Sequence, residues 1–167
     1  MLFIGLNPSL ANSSKDDPTL RRLLGFCYSW GYGNLLVINL FALISESPQV
    51  LGKSKNPIGD FNDEQLLKRV LHWSRCPDWD LWCGWGCGGS LHKRENEVIA
   101  LLEKAFIIRL QQLPEAQGPL AIGFTQRGQP CHPLYVSNKQ FLRPFDWTNL
   151  YFNKTLPLNQ VKKARDG

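Results

Sequence analysis

No apolar run in these 167 residues approaches the roughly 20 needed to cross a bilayer, which excludes a membrane-spanning helix. The opening MLFIGLNPS has neither the basic flank nor the small-residue cleavage site of a secretory signal. Cysteine is sparse, scattered and odd in number (Cys27, Cys76, Cys83, Cys87, Cys131), which argues against a disulfide framework and for reduced thiols in a cytoplasm. Cys83 and Cys87 bracket Cys-Gly-Trp-Gly-Cys, yet no second close pair or neighbouring ligand run completes a metal set. Buried free thiols are expected there, with no metal and no other cofactor. There is no internal repeat and no interdomain linker. One domain over residues 1–167, acting as a monomer, is the expectation, its 43% hydrophobic and 20% charged residues being those of a globular chain.

Acidic residues are scarce in one place. Residues 1–120 hold twelve basic and twelve acidic side chains, so the whole net charge of +5 lies after Gly118–Leu120. Seven basic residues (Arg127, Lys139, Arg143, Lys154, Lys162, Lys163, Arg165) face only Asp146 and Asp166 there. Such an excess favours a phosphate-bearing partner, DNA or a nucleotide. Lys162 to Arg165 read more simply as a solvated end of a loop-rich basic tail, residues 138–167.

Four apolar runs predict strands: Leu2–Leu6, Leu35–Leu40, Asp80–Cys83 and Leu120–Phe124. They are continuous rather than alternating, as in parallel strands buried on both faces. Between them, Pro18–Tyr32, Asn62–Trp73 and Glu95–Lys104 carry apolar residues at helical spacing, the first opened by Asp16, Asp17 and Pro18. The alternation predicts an α/β fold, a three-layer sandwich with a central, mainly parallel four-stranded sheet. The ends of its first and last strands should be adjacent. Such a sheet binds ligands at the carboxyl ends of its strands. Here those ends read Asn7-Pro8-Ser9, Asn39-Leu40-Phe41, Gly84-Trp85-Gly86 and the turn before His132-Pro133.

Taken in order, GLNPS (Gly5–Ser9), VINLFA (Val37–Ala42), LWCGWG (Leu81–Gly86) and HPLYVS (His132–Ser137) resemble the motifs of the uracil-DNA glycosylase superfamily. Ser9 stands where that motif has glycine, and no aromatic directly follows it. Over nearly its full length, through GLNPS, KDDPTLRR, WGYG, INLFA, WG and HPLY, the chain is identified as a member of an uncharacterised bacterial and phage domain family.

The glycosylase resemblance implies roles. Asn7 would position the water that attacks the sugar, with Pro8 and Ser9 beside the base. Asn39 would read the base edge. His132 would donate to the base oxygen as it gains charge. Phe41, Trp85 and Phe124 are candidates to stack on the base. Arg21 or Arg22 could hold a phosphate near a helix start, and Lys139 and Arg143 could hold others at the pocket mouth. Each has a plainer alternative. Asn7 could close an Asx-type turn, Asn39 could make a structural hydrogen bond, and His132 could be a turn residue fixed by Pro133. Aromatic residues at strand ends are often core, Asp16 and Asp17 suit helix capping, and His72 and His92 read as surface. The expected function is base recognition, with hydrolysis of an N-glycosidic bond in DNA or a nucleotide. A non-catalytic nucleic-acid or nucleotide-binding module, or an enzyme acting on another small molecule, are the alternatives.

Overall fold

A computed structural model describes residues 1–9, 17–45 and 47–147. Asp16 and the basic residues from Lys154 onward lie outside the described residues. In chain order the elements are β1 (Leu2–Gly5), α1 (Pro18–Ser29), β2 (Leu36–Asn39), α2 (Pro48–Lys53), α3 (Asn62–Arg75), β3 (Leu81–Cys83), α4 (Arg94–Gln112), β4 (Leu120–Ala121) and β5 (Arg143–Pro144). Short 3-10 segments occupy Gly86–Lys93 and Pro133–Tyr135.

The fold is α/β, as the alternation predicts, but its sheet has five strands and is mixed. The order is β2-β1-β3-β4-β5, with β5 antiparallel to β4 and the other pairs parallel. The expected adjacency of the first and last parallel strands is corrected, because β3 lies between β1 and β4. The chain leaves β1 for β2 on one side and returns past β1 to β3 on the other. That reversal makes β1/β3 a topological switch point, where the diverging connections leave a crevice beyond the strand ends.

Burial follows strand position. Every residue of β1 and β3 is buried, whereas β2 is an edge strand with Val37 exposed. Alternate residues of β1 face opposite ways. Met1 and Phe3 join Leu23, Phe26 and Cys27 of α1 around Trp82, while Leu2 and Ile4 join Leu66, Val70 and Trp73 of α3 and Val98, Ile99 and Leu102 of α4. Gly5 ends β1 with no room to spare, since a Cβ there would lie 2.6 Å from Asn39 Oδ1.

The helices keep their expected places with shifted ends. Asp17 caps α1 by accepting from the N–H groups of Thr19 (2.8 Å) and Leu20 (3.0 Å), and Gly31 at φ +81° turns the chain away three residues earlier than expected. Helix α4 runs eight residues past Lys104, because buried Ala105 and Arg109 extend its inner face. Buried Arg109 donates to the main-chain oxygens of Trp73, Cys76, Pro77 and Trp79, tying off the end of α3. Buried Arg94 does similar service, reaching Leu40 O at 3.0 Å and the carboxylates of Asp63 and Glu97.

Candidate functional site

A cavity of about 500 Å³ opens at the carboxyl ends of the parallel strands. Leu6, Asn7 and Ser9 enter it after β1, Trp85 to Gly88 after β3, and Thr125, Cys131 and His132 after β4. The start of α1, at Asp17 to Thr19, closes another side, with Ser45, Pro48, Leu134 and Tyr135. Its volume lies within the several-hundred-Å³ range of sites for whole small molecules.

Asn7 is held by its amide nitrogen. Nδ2 donates to the main-chain oxygens of Pro8 (3.0 Å), Leu43 (3.4 Å) and Ser45 (2.6 Å), pinning the loop after β2 against the turn after β1. Three carbonyl acceptors settle which end of the amide is nitrogen. Among the described residues no donor pairs with its Oδ1, which leaves that oxygen as the atom able to accept from a ligand or water.

His132 introduces the 3-10 turn Pro133–Tyr135, and its Nδ1 accepts from Leu134 N–H at 3.4 Å. A neutral ring so bonded carries its proton on Nε2, as a donor. Burial lowers the His132 pKa below its ordinary value, only partly opposed by the negative charge of Asp17. The Tyr135 ring lies beside it at 5.6 Å between centroids, and Gly86, at φ +67°, lets the loop after β3 come within 3.3 Å of His132 Cβ, measured from where its own Cβ would stand.

Among the described residues, Asp17 is the only carboxylate in the lining, which contains no Lys or Arg. Both its oxygens are engaged: Oδ1 caps α1 and Oδ2 accepts from Ser9 Oγ at 2.8 Å. The half-buried Cys131 also lines the wall. Burial raises its pKa while nearby Arg143 lowers it, the net direction being upward and favouring the thiol over the thiolate.

The remaining sequence candidates scatter. Phe41 is fully buried and stands outside the lining, because it packs into the core cluster with Leu51 and the inner faces of α3 and α4. Asn39 also lies outside the lining, its Oδ1 over Gly5, and the nearby backbone oxygens of Asn39 and Leu40 are satisfied by Asn62. Pro8 contributes a main-chain oxygen to Asn7 but does not line the cavity. Arg21 lines a separate groove of about 300 Å³. Arg22 is a clamp, donating through Nε to Pro133 O (3.1 Å) and through Nη2 to Val136 O while its guanidinium covers Phe26 at 4.9 Å. Lys139 is exposed, and Arg143 lies over the Phe124 ring at 4.7 Å. Trp85 reaches the lining and donates to buried Gln129 at 2.8 Å. His72 and His92 are exposed. Cys83 is buried as expected, but Cys87 is exposed, because it sits in the 3-10 segment beyond the strand. Among the described residues no group of three or more His, Cys, Asp or Glu side chains is placed to hold a metal ion. None of their helices is long and apolar enough to cross a membrane.

Sequence reasoning missed the lining residues Ser45 and Thr125. Small polar residues in loops carry no periodic signal, and only the sheet order gathers them. A family model described as "Protein of unknown function (DUF1643)" matches residues 1–134. The chain belongs to the DUF1643 family. The span shared with DUF1643 takes in Asn7, Asp17 and His132 and stops short of Lys139 and Arg143. No curated protein and no solved structure matches the chain.

Proposed function

We propose that the cavity admits the base and sugar of one nucleotide unit of DNA or of a free nucleotide, on a glycosylase-like three-layer fold, and hydrolyses the N-glycosidic bond. One observation carries this reading: Asn7, whose Nδ2 is spent on main-chain oxygens, and His132, whose Nδ1 accepts from Leu134 N–H, line one cavity at the switch point of the sheet. As the bond from C1′ to the base nitrogen breaks, its electron pair moves onto the base. His132 Nε2–H then donates to the base oxygen that gains charge. Asn7 Oδ1 accepts a hydrogen bond from the water that adds to C1′, and the proton that this water loses ends on the nitrogen of the departing base. Asn39 lies outside the lining, and of the lining hydroxyls Ser45 Oγ is spent on the Ser47 main chain, which leaves Thr125 Oγ1, accepting from Gln129 N–H at 3.1 Å, to donate to the base edge. Among the described residues the lining has a carboxylate and no Lys or Arg, which supports a pose with the phosphates outside it. The resemblance of GLNPS and HPLYVS to glycosylase motifs supports the same assignment.

A second reading has its own support. Asp17 is committed to the α1 cap and to Ser9, which leaves no other carboxylate among the described lining residues to activate water. The site would then recognise a base without cutting. Incubation with oligonucleotides carrying uracil, hypoxanthine and other altered bases separates the two. Free base should appear, and His132→Ala should slow its release by about 10²–10³-fold, the loss typical of one oxyanion donor. Binding without release supports the recognition module, and absence of both removes the assignment.

A further inference from the structure

Beside the cavity mouth, α1 and residues 133–141 form a continuous outer face. Arg22 ties the two together through the Pro133 and Val136 oxygens, and Trp30 Nε1 donates to Gln140 O at 3.2 Å. Between them runs the groove of about 300 Å³ lined by Arg21, Gly25, Ser29 and Asn138. Along the outer side of α1, Leu20, Leu24 and Tyr28 recur every fourth residue and are all exposed, Tyr28 at 88%. On the opposite ridge Tyr135 is 85% and Phe141 76% exposed. Nothing in core packing asks for large rings at these positions.

Among the described residues of α1 and of 133–141, the charged side chains are Arg21, Arg22 and Lys139, and neither stretch contains Asp or Glu. Cations select a polyanion, and exposed rings select flat apolar faces. A duplex offers phosphates but hides its base faces in the stack, so it would leave the rings idle. An unpaired strand offers both.

We propose that this face binds single-stranded nucleic acid, the nucleotides flanking the cavity stacking on Tyr28, Tyr135 and Phe141 while Arg21 and Lys139 neutralise their phosphates. Tyr135 belongs to both the ridge and the cavity lining, which joins the track to the mouth. The proposal rests on the base-binding reading for what enters the cavity, and on the face alone for the strand.

Fluorescence anisotropy tests it without any chemistry. The probes are a labelled oligothymidylate, the same strand annealed to its complement, and vesicles of phosphatidylcholine with phosphatidylserine. The unpaired strand should bind more tightly than the duplex. Tyr28→Ala and Phe141→Ala, both at exposed positions, should each weaken it roughly tenfold. Arg21→Ala and Lys139→Ala should each reduce the slope of log K against log salt by about 0.7. Equal affinity for strand and duplex, no effect of the ring variants, or binding to vesicles alone would overturn the proposal. Strand binding without base release would leave it standing while the hydrolytic reading falls, and base release with unaltered strand affinity in the variants would do the reverse.

Discussion

His132 loses hydration in the cavity wall, and that loss disfavours the imidazolium more than Asp17 restores it. Its titration followed by the ring Cε1–H resonance should therefore have a midpoint below the ordinary 6.5. Asp17→Asn keeps a good capping residue but removes the negative charge, so it should lower the midpoint further; a rise would contradict the pairing. The sign carries over to stability. Because the folded-state pKa is depressed, the contribution is complete above pH 6.5 and is lost as pH falls below it towards the depressed value. A function that needs the neutral ring should likewise persist as pH drops through 6.5 and fail only lower. Asn7 has a different dependence, since its Nδ2 satisfies carbonyls rather than titrating. Asn7→Ala should cost about 1–3 kcal/mol in urea unfolding, the range for leaving partly buried polar groups unpaired. A cost near zero would mean that water replaces the amide.

Helix α1 does three jobs because of where its polar residues fall. Asp17 closes its first turn and holds Ser9, Arg22 one turn later grips the His132–Val136 segment, and the opposite side packs Leu23, Phe26 and Cys27 under β1 and β3. The grip is a fork: two guanidinium nitrogens serve two different carbonyls. A lysine supplies charge but not that geometry. Arg22→Ala and Arg22→Lys should both destabilise the chain, each by about 1.5–3 kcal/mol, and both should move the His132 resonance. An unmoved resonance in either variant would show that Pro133 alone sets the ring.

Across the whole molecule, β2, β1, β3 and β4 point the same way, so polar loop residues distant in sequence gather at one end. Among the described residues the cavity lining holds Asp17 and no Lys or Arg, while the face beside it carries Arg21, Arg22 and Lys139. This separation favours a ligand that enters by an uncharged end and leaves its phosphates outside. If Arg21, Lys139 and Arg143 each neutralise one phosphate of a single strand, log K should fall against log salt with a slope of about −2. Affinity indifferent to salt would remove electrostatics from recognition.

The four apolar runs and three helical repeats were legible in the sequence because burial on both strand faces and a 3.6-residue period leave local marks. The polar strand ends were legible for the same reason, as breaks in apolar runs. Helix α2 was not, being six residues with a glycine inside, nor was β5, two residues long and paired only through β4. Sheet order was decided only in three dimensions. It placed β3 between β1 and β4, brought Asn7, Asp17 and His132 to one cavity, and set Asn39 and Phe41 beyond a different edge. Which strands become neighbours depends on long-range packing of α1 against one sheet face and α3 and α4 against the other, so residue types that share a strand-end motif part company once the strands are assembled.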